Sequence, residues 1–275
     1  MDKNLPEMAT FKELEQSGWQ AKAEGYDKFV GNVTTQAIGF VLDAAEVTQG
    51  KHVLDVASGP GYGVGGAVSR GATAIGLDFA ASMVELAARN FPEAEFCEGD
   101  GENLSFADKS FDAVICLFGL LHMPEPEKAI VEAYRVLKSN GRYAFTVWDT
   151  PENHEFFAVV MNAIQTYGDI DVPLPPAPPM FRFSDRNECK KALTDAKFVD
   201  ANAQSIPLVW RGSSGQECLN LIYNGTVRTA MLLEHQTPEA LENIHRAIIE
   251  GAEKFKNADG IELAWPAILA SATKS

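Results

Sequence analysis

Three aspartates follow or interrupt three successive apolar segments, and a cluster of glycines lies beside the first of them. The stretch LDVASGPGYG contains Asp55 in its apolar part and Gly59 and Gly61 in the loop that follows. Asp78 ends the next apolar segment and Asp100 the third. Glycines permit a tight turn and close approach of a ligand to the backbone, and a helix that begins there presents free N–H groups. This spacing predicts a nucleotide-like ligand where the three segments end.

Asp55 separates the possible ligands. A carboxylate beneath the loop repels the pyrophosphate of a dinucleotide by several kcal/mol in a poorly solvated site. S-adenosylmethionine has no phosphate and carries an ammonium and a sulfonium, so the same carboxylate favours it. The glycines alone do not decide, because GYGVGG (61–66) also satisfies the GxGxxG dinucleotide pattern. S-adenosylmethionine is therefore the favoured ligand. Two alternatives remain: the ligand is a nicotinamide or flavin dinucleotide, or Asp55 contacts no ligand at all.

The acids downstream fit the favoured ligand. Asp78 lies about twenty residues past the loop, where a carboxylate can accept hydrogen bonds from both ribose hydroxyls, although NAD is bound in the same way. Asp100 can accept from an adenine amino group, or it can be a turn residue before Gly101. Met83, one helical step past Asp78, can pack on the adenine face or belong to the core. Three acids at the ends of three successive strands are harder to explain as turns.

The elements that position these residues alternate between strands and helices. Strands are expected at 52–57, 73–78, 94–100, 111–119 and 142–149, and helices at 63–71, 82–90 and 126–138. Alternation at this interval predicts βαβ units in a parallel sheet with helices on both faces, and ligands at the carboxyl ends of the strands. Ser82 is expected to cap the second of these helices.

The remaining chain divides by its pattern into further parts. Residues 1–48 are predicted to form an N-terminal helical cap, and residues 49–275 the ligand-binding domain. Within that domain VPLPPAPPM cannot form a helix or a central strand, so 150–183 is expected to be a cover segment or, equally, a surface linker. Further predicted parts are a helix at 184–196 capped by Ser184, a strand-like stretch at 198–210, a helical insertion at 213–256 and a strand pair or long strand at 260–274.

Charge and cysteine content limit the partners and the location. The formal net charge of −15 repels phosphate backbones and anionic lipids, so neither nucleic acid nor a membrane is expected as a partner. Four scattered cysteines lack the spacing of a metal site, and no metal is predicted. Free thiols, the absence of a signal-peptide pattern and the short apolar runs predict a cytoplasmic protein. The sequence does not indicate its oligomeric state.

Four segments resemble successive motifs of class I S-adenosylmethionine-dependent methyltransferases. The nearest group is that of the ubiquinone/menaquinone-biosynthesis methyltransferases and their small-molecule relatives, the type 11 methyltransferases. The segments are VLDVASGPG, GLDFAASMVELA, FCEGDGENLSFADKSFDAVICLFGLLHM and EAYRVLKSNGRYAFTVW. The resemblance implies a Rossmann-like, mostly parallel seven-stranded sheet whose final hairpin is reversed and comes from strands after residue 197. It also implies S-adenosylmethionine as cofactor and a small molecule as methyl acceptor.

The same resemblance implies roles for single residues. Ala57 stands where the family has the first glycine of its acidic loop, and Tyr26 resembles a tyrosine that often covers the cofactor. Leu117 and Phe118 fall where family members contact the methionine moiety. The implied cofactor contacts are Tyr26, Asp55, Ala57, Gly59, Gly61, Asp78, Asp100, Gly101, Glu102 and Leu117.

Methyl transfer from a sulfonium is an in-line displacement with a good leaving group already in place. Alignment in a closed site is therefore the main task, and a base typically adds 10²–10⁴-fold for an oxygen or nitrogen nucleophile. His122, in GLLHMPEP after the fourth strand, is the candidate base, or else it shapes the pocket.

The acceptor and two other functions remain open at this point. Trp148, Asp149 and His154 lie where substrate contacts usually occur, and Phe181 and Trp210 are either pocket or core residues. The acceptor pocket is expected to come from residues 1–50, 150–183 and 213–256, whose apolar and aromatic residues suggest an uncharged or partly hydrophobic acceptor, and the acidic surface disfavours an anionic one. A nucleotide-dependent oxidoreductase and a methyltransferase-like protein that binds the cofactor without transferring methyl are the alternatives.

Overall fold

The N-terminal part of the molecule is a group of helices. The computed structural model describes residues 10–275. Helix α1 (Phe11–Phe29) begins with a capping box, in which the Thr10 hydroxyl accepts from the Glu13 N–H and the Glu13 carboxylate accepts from the Thr10 N–H. Helices α2 (Gly31–Thr34) and α3 (Ile38–Ala44) follow, joined by one 3₁₀ turn. These helices occupy the predicted cap, of which residues 1–9 lie outside the described residues.

Five parallel strands and the helices between them follow, as the alternating pattern predicts. Strand β1 (His52–Val56) has β2 and β3 on one side and β4 and β5 on the other. The elements are α4 (Tyr62–Ser69), β2 (Thr73–Asp78), α5 (Ala81–Asn90), β3 (Glu95–Glu98), β4 (Phe111–Leu117), α6 (Pro126–Val136) and β5 (Leu137–Trp148). Strand β5 starts earlier than expected, because residues 137–141 already run beside β4 before the register shifts.

The second half of the chain completes this sheet and adds a smaller one. Its elements are α7 (Glu155–Tyr167), α8 (Arg186–Asp195), β6 (Phe198–Ile206), β7 (Val209–Gly212), α9 (Gly215–Gly225), α10 (Arg228–Glu234), α11 (Pro238–Glu253), β8 (Lys256–Asn257), β9 (Gly260–Ala264) and β10 (Ala267–Lys274). Strand β10 lies antiparallel between β5 and β6, so the seven-stranded order is β3-β2-β1-β4-β5-β10-β6. The last two strands of this sheet come from residues after 197 and β10 is reversed, as the resemblance implied, but β6 and β10 are joined through the intervening elements rather than by a hairpin turn. Strands β7, β9 and β8 form a separate three-stranded sheet.

Both predicted serine caps are wrong. Helix α5 begins after Ala80, whose N–H donates to the Asp78 carboxylate, and the Ser82 side chain makes no cap hydrogen bond. Helix α8 begins after Asp185, whose carboxylate accepts from the Asn187 N–H at 2.8 Å. At α5 the helix begins one residue before Ser82, so this serine lies inside the first turn and cannot cap it. At α8 the Asp185 carboxylate, a stronger acceptor than a hydroxyl, occupies the cap position instead of Ser184.

The segment 150–183 contains a helix that the sequence did not reveal. Helix α7 fills its first half and buries Phe156, Phe157, Val160 and Ile164, while 168–181 runs irregularly to a 3₁₀ turn. The predicted pair at 260–274 is also divided, since β9 joins the small sheet and β10 the large one.

The large sheet has a packed apolar layer on each face. Successive strand residues point to opposite faces, so Val53 and Ile115 pack in one layer and Leu54 and Val114 in the other. Asp55 shares the face of Val53, against α4. Among residues 10–275 no helix combines the length and the apolar character that crossing a bilayer requires.

Candidate functional site

A cavity of about 510 Å³ opens at the carboxyl ends of the central strands. Its floor consists of residues at or just after the ends of four strands: Ala57 after β1, Asp78 in β2, Leu117 in β4 and Trp148 in β5. Its other walls come from α1, from α7, from the irregular stretch 170–181 and from 225–232. The predicted cover segment and part of the helical insertion thus line the same cavity as the strand ends.

Asp55 lies beneath this floor rather than in the cavity wall. It is buried between Gly76 of β2 and Ile115 of β4, and its Oδ1 has no hydrogen-bond partner among the described residues. Burial raises the pKa of Asp55 well above its ordinary value, the charge of Asp78 adds to this rise, and the Val64 N–H opposes it. A buried carboxyl with an unsatisfied oxygen is suited to a polar or cationic ligand placed above it.

The loop after β1 has a backbone of unusual shape. Ala57, Gly59 and Gly61 all adopt left-handed conformations, with φ of 57°, 51° and 87°. For Ala57 this conformation costs roughly 1–2 kcal/mol, a strain that a glycine at this position would not have. Ala57 and Gly59 line the cavity, whereas a Cβ on Gly61 would meet the Phe96 ring at 2.9 Å. Gly61 is therefore required by packing as well as by its conformation.

Gly63, in the first turn of α4, offers a test of how tightly Asp55 is held. A Cβ on Gly63 would lie 2.3 Å from Asp55 Oδ2 and 3.2 Å from Ile115 Cδ1. We expect Gly63→Ala to lower the free energy of unfolding by about 1–3 kcal/mol and to weaken cofactor binding, because Asp55 must move. Denaturant unfolding measures the first effect and calorimetric titration the second.

Gly39 provides the matched control for that substitution. It also lies in a helix, α3, but a Cβ there would meet nothing within 4 Å. Gly39→Ala should be neutral or stabilise the protein by up to about 1 kcal/mol. Equal stability of the two variants would show that Asp55 has room to move.

Asp78 presents its carboxylate at the cavity floor. Its Oδ2 accepts from the Gly59 N–H at 2.9 Å and its Oδ1 from the Ala80 N–H at 3.0 Å. Burial raises the pKa of Asp78 to about 6, and the hydrogen bonds from Ala80 and Gly59 oppose this rise. Each oxygen has further acceptor capacity. The orientation of this carboxylate is thus set by the loop and by the start of α5.

The turn at 100–102 is joined to α1. Lys12 Nζ donates to Asp100 Oδ2 at 2.6 Å and to Glu102 Oε2 at 2.9 Å. In the described part of the chain, none of Asp100, Gly101 and Glu102 lines the cavity. Their predicted contact with adenine stays a prediction, and Lys12 is a residue of this cluster that no motif indicated.

The walls near the loop are aromatic and apolar. Tyr26, Met83, Leu117 and Phe118 all line the cavity. The Tyr26 hydroxyl lies 3.3 Å from the Thr34 hydroxyl, and burial raises the pKa of Tyr26 to about 12. The Phe118 ring stacks on Trp148 with centroids 4.0 Å apart. These four predicted residues therefore lie together with Asp78 around one space.

His122 is held by two residues of α1. Its Nδ1 lies 2.8 Å from Glu15 Oε2, and the Trp19 indole N–H donates to the same oxygen at 3.0 Å. Glu15 is buried, and the Trp19 and His122 rings meet edge to face with centroids 4.9 Å apart. A carboxylate at Nδ1 selects the tautomer with the proton on that nitrogen and leaves a lone pair on Nε2. His122 lines the cavity in this arrangement.

Other candidates from the sequence are divided between wall and core. Trp148 and Phe181 line the cavity, whereas Asp149, His154 and Trp210 are buried away from it. Asp149 accepts from the Ser205 hydroxyl at 2.5 Å, and the His154 ring caps α7 by accepting from the Phe157 N–H. Burial lowers the pKa of His154 to about 3.

The cavity also contains residues that carried no recognisable signal. Phe11, Glu15, Trp19, Arg228 and Trp265 all line it. Only the helical spacing of Glu15 and Trp19 on one face of α1 hinted at a shared role. Over residues 10–275 no group of three histidine, cysteine or carboxylate side chains is arranged to hold a metal ion.

Comparison with known proteins locates a match within the sheet. Residues 54–145 match the family model described as "Methyltransferase domain". The chain is 39% identical over 111 residues to the demethylmenaquinone methyltransferase of Renibacterium salmoninarum, an alignment that covers 40% of this chain and 47% of that protein. The chain therefore spans about half the length of the curated relatives it matches.

Solved structures of similar fold extend further along the chain. The Haemonchus contortus phosphoethanolamine N-methyltransferase 2 in complex with S-adenosyl-L-methionine is 16% identical with a TM-score of 0.59, covering all of this chain and 61% of that one. The [4+2]-cyclase SpnF is also 16% identical, with a TM-score of 0.57, covering 96% of this chain and 97% of that one. At this identity the likeness shows a shared Rossmann-like fold.

Proposed function

We propose, from the premise that residues 54–145 form a methyltransferase domain, that this protein transfers a methyl group from S-adenosylmethionine to a small-molecule acceptor. The observation that carries this proposal is the pair of buried carboxyls at the glycine loop. Asp78 is aimed at the cavity by two backbone N–H groups, and Asp55 lies beneath the loop with an oxygen unsatisfied. The ionised Asp78 carboxylate would repel a pyrophosphate, and both carboxyls suit a cofactor that brings hydroxyls and positive charge.

The residues present fit this cofactor. Asp78 would accept from the ribose hydroxyls, the backbone at Ala57 and Gly59 permits close approach, and Tyr26 and Met83 would cover the bound molecule. The 100–102 turn stays the proposed adenine contact. The cofactor supplies an electrophilic methyl carbon on a sulfonium, and the chain supplies its alignment within walls that exclude water.

His122 is proposed as the general base. With its Nδ1 proton donated to Glu15, the ring offers Nε2 to a hydroxyl or amine of the acceptor. The buried Glu15 carboxylate stabilises the imidazolium that forms when Nε2 takes the proton. Because Glu15 lies on α1, the N-terminal helices are part of the proposed site.

The acceptor is proposed to be a small molecule with a largely apolar body, since aromatic, aliphatic and proline residues form most of the cavity wall. The net charge of −15 argues against nucleic acid and anionic membranes as partners. The four cysteines are free, three of them buried, and this supports the proposed cytoplasmic location.

Titration with S-adenosylhomocysteine tests the proposed cofactor. We expect saturable calorimetric binding at one site, because the product shares the ribose and adenine groups that Asp78 and the loop are proposed to contact. NADH at the same concentrations is the comparison ligand and should not bind, since its pyrophosphate would face the Asp78 carboxylate. Absence of S-adenosylhomocysteine binding up to millimolar concentration contradicts the proposal.

Methyl transfer itself requires a separate measurement, because a protein of this fold can retain the cofactor without transferring methyl. A screen of acceptor compounds with labelled cofactor and a homocysteine-release readout should yield a labelled product. Cofactor binding with no label in any product across the screen favours the non-methylating alternative.

A further inference from the structure

Arg228 is the feature of the cavity that the proposed reaction does not use. It is half-buried at the first residue of α10 and lines the cavity. The other carboxyl and imidazole side chains in the described lining are those of Glu15, Asp78 and His122. A guanidinium in a predominantly apolar wall calls for a counter-charge.

The carboxylates of the cavity do not supply that charge. Asp78 accepts from two backbone N–H groups, and Glu15 accepts from Trp19 and His122. Among residues 10–275, no carboxylate oxygen lies within 4.0 Å of the Arg228 guanidinium. Arg228 is thus a cation in the wall for which the described chain provides no anion.

The Arg228 side chain is nevertheless held in place. One guanidinium nitrogen, Nη1, donates to the Pro175 carbonyl at 3.1 Å, and the guanidinium carbon lies 5.6 Å from the centroid of the Phe11 ring. The remaining N–H groups on Nε and Nη2 have no protein acceptor among the described residues. A planar fork held by a backbone carbonyl and an aromatic ring is preorganised for a planar anion.

We infer that the methyl acceptor carries a carboxylate that Arg228 binds, attached to an apolar body that fills the remaining cavity. This inference rests on the proposed function. A carboxylate matches the fork of one arginine and brings a single charge, whereas a phosphate monoester brings up to two charges and three acceptor oxygens for which the lining offers one arginine. The acidic surface of the protein led us to expect that the acceptor is not anionic. The positive charge of Arg228 inside the cavity instead favours an anionic acceptor.

The test uses the whole chain saturated with S-adenosylhomocysteine and a matched pair of probes, 2-naphthoate and 2-naphthamide. By calorimetry we expect the wild-type protein to bind the acid at least tenfold more tightly than the amide, about 1.4 kcal/mol. Arg228→Gln should remove this difference, and Arg228→Lys should retain part of it by keeping the charge without the fork. Arg211→Gln is the control, because Arg211 is exposed and pairs with Glu262 on the small sheet. That variant should behave as wild type.

Several outcomes would overturn the inference. They are no binding of 2-naphthoate to the wild type, equal affinity for acid and amide, and a preference that survives in Arg228→Gln. Tighter binding of 2-naphthyl phosphate than of 2-naphthoate would assign a phosphate instead and overturn the carboxylate. Failure of the proposed function is distinguishable, because S-adenosylhomocysteine affinity is measured first and the acid–amide comparison can be repeated without it.

Discussion

His122→Ala is expected to lower kcat by about 10²–10⁴-fold while the affinity for S-adenosylhomocysteine stays unchanged. The reason is the arrangement at α1, where Glu15 binds Nδ1 and leaves Nε2 available to take a proton from the acceptor. The measurement is kcat at saturating acceptor, with an acceptor from the homocysteine-release screen, together with calorimetric titration of the same variant. Added imidazole should restore part of the lost rate, because it can occupy the space left by the ring.

The control for this substitution is a histidine away from the cavity. His235 is exposed after α10, and its ring contacts its own helix through the Met231 carbonyl. His235→Ala should leave kcat and affinity unchanged. An unchanged kcat in His122→Ala would mean that His122 only shapes the pocket, and an equal loss of cofactor affinity would mean that it acts through α1 and the structure of the site.

Substitution of Asp78 has the largest expected effect on cofactor binding. We expect Asp78→Ala to weaken S-adenosylhomocysteine binding at least tenfold, about 1.4 kcal/mol, because the ribose hydroxyls lose their acceptor. Asp78→Asn preserves the shape of the side chain and separates loss of charge from collapse of the loop that Gly59 anchors. Glu85→Gln is the control, since Glu85 is exposed on α5. Unchanged affinity in Asp78→Ala would remove Asp78 from the ribose site.

The same residue predicts a pH dependence. Burial raises the pKa of Asp78 from 3.8 to about 6, so the folded protein without ligand binds a proton more tightly than the unfolded chain does. Its contribution to stability is present below pH 3.8 and is lost as the pH rises through about 6. A ligand that needs the ionised carboxylate should therefore bind more weakly as the pH falls below about 6. In Asp78→Asn this dependence should flatten, and titrations between pH 5 and 8 measure it.

Much of the large sheet was predictable because its signals are local. Each apolar strand and each helix of the alternating pattern is encoded by one contiguous segment of the sequence. The observed strands β1 to β5 lie close to the positions that this pattern predicts. Helix α7 was hidden by the proline-rich stretch that follows it, and the small sheet depends on pairing between β7 and β9, nearly fifty residues apart. Ser82 failed as a cap because α5 already begins at Ala81, and Ser184 failed because the Asp185 carboxylate accepts from the Asn187 N–H instead.

The grouping of site residues was predictable where those residues lie at the carboxyl ends of neighbouring parallel strands. Asp78 and Leu117 meet around one cavity because parallel strands end together, and Asp55 lies just below it. The side chains of Glu15 and His122 are in contact although they are 107 residues apart in the sequence, and no local sequence pattern predicts such a contact. The contact of Arg228 with Phe11 joins residues that are even further apart in the sequence. The end of the cavity that is proposed to bind the acceptor could therefore be recognised only from the three-dimensional structure.

The position of β10 between β5 and β6 has a consequence for the order in which the chain folds. Until residues 267–274 have been synthesised, β5 and β6 each present an open edge, and open edges invite pairing with other chains. Trp265, which stacks on Phe156 with centroids 4.2 Å apart, directly precedes β10. Pairing with β10 covers one edge of β5 and joins β6 to the sheet, while Trp265 just before it contributes to the cavity wall. A chain without residues 265–274 would therefore expose an edge of β5 and lack one aromatic wall of the cavity.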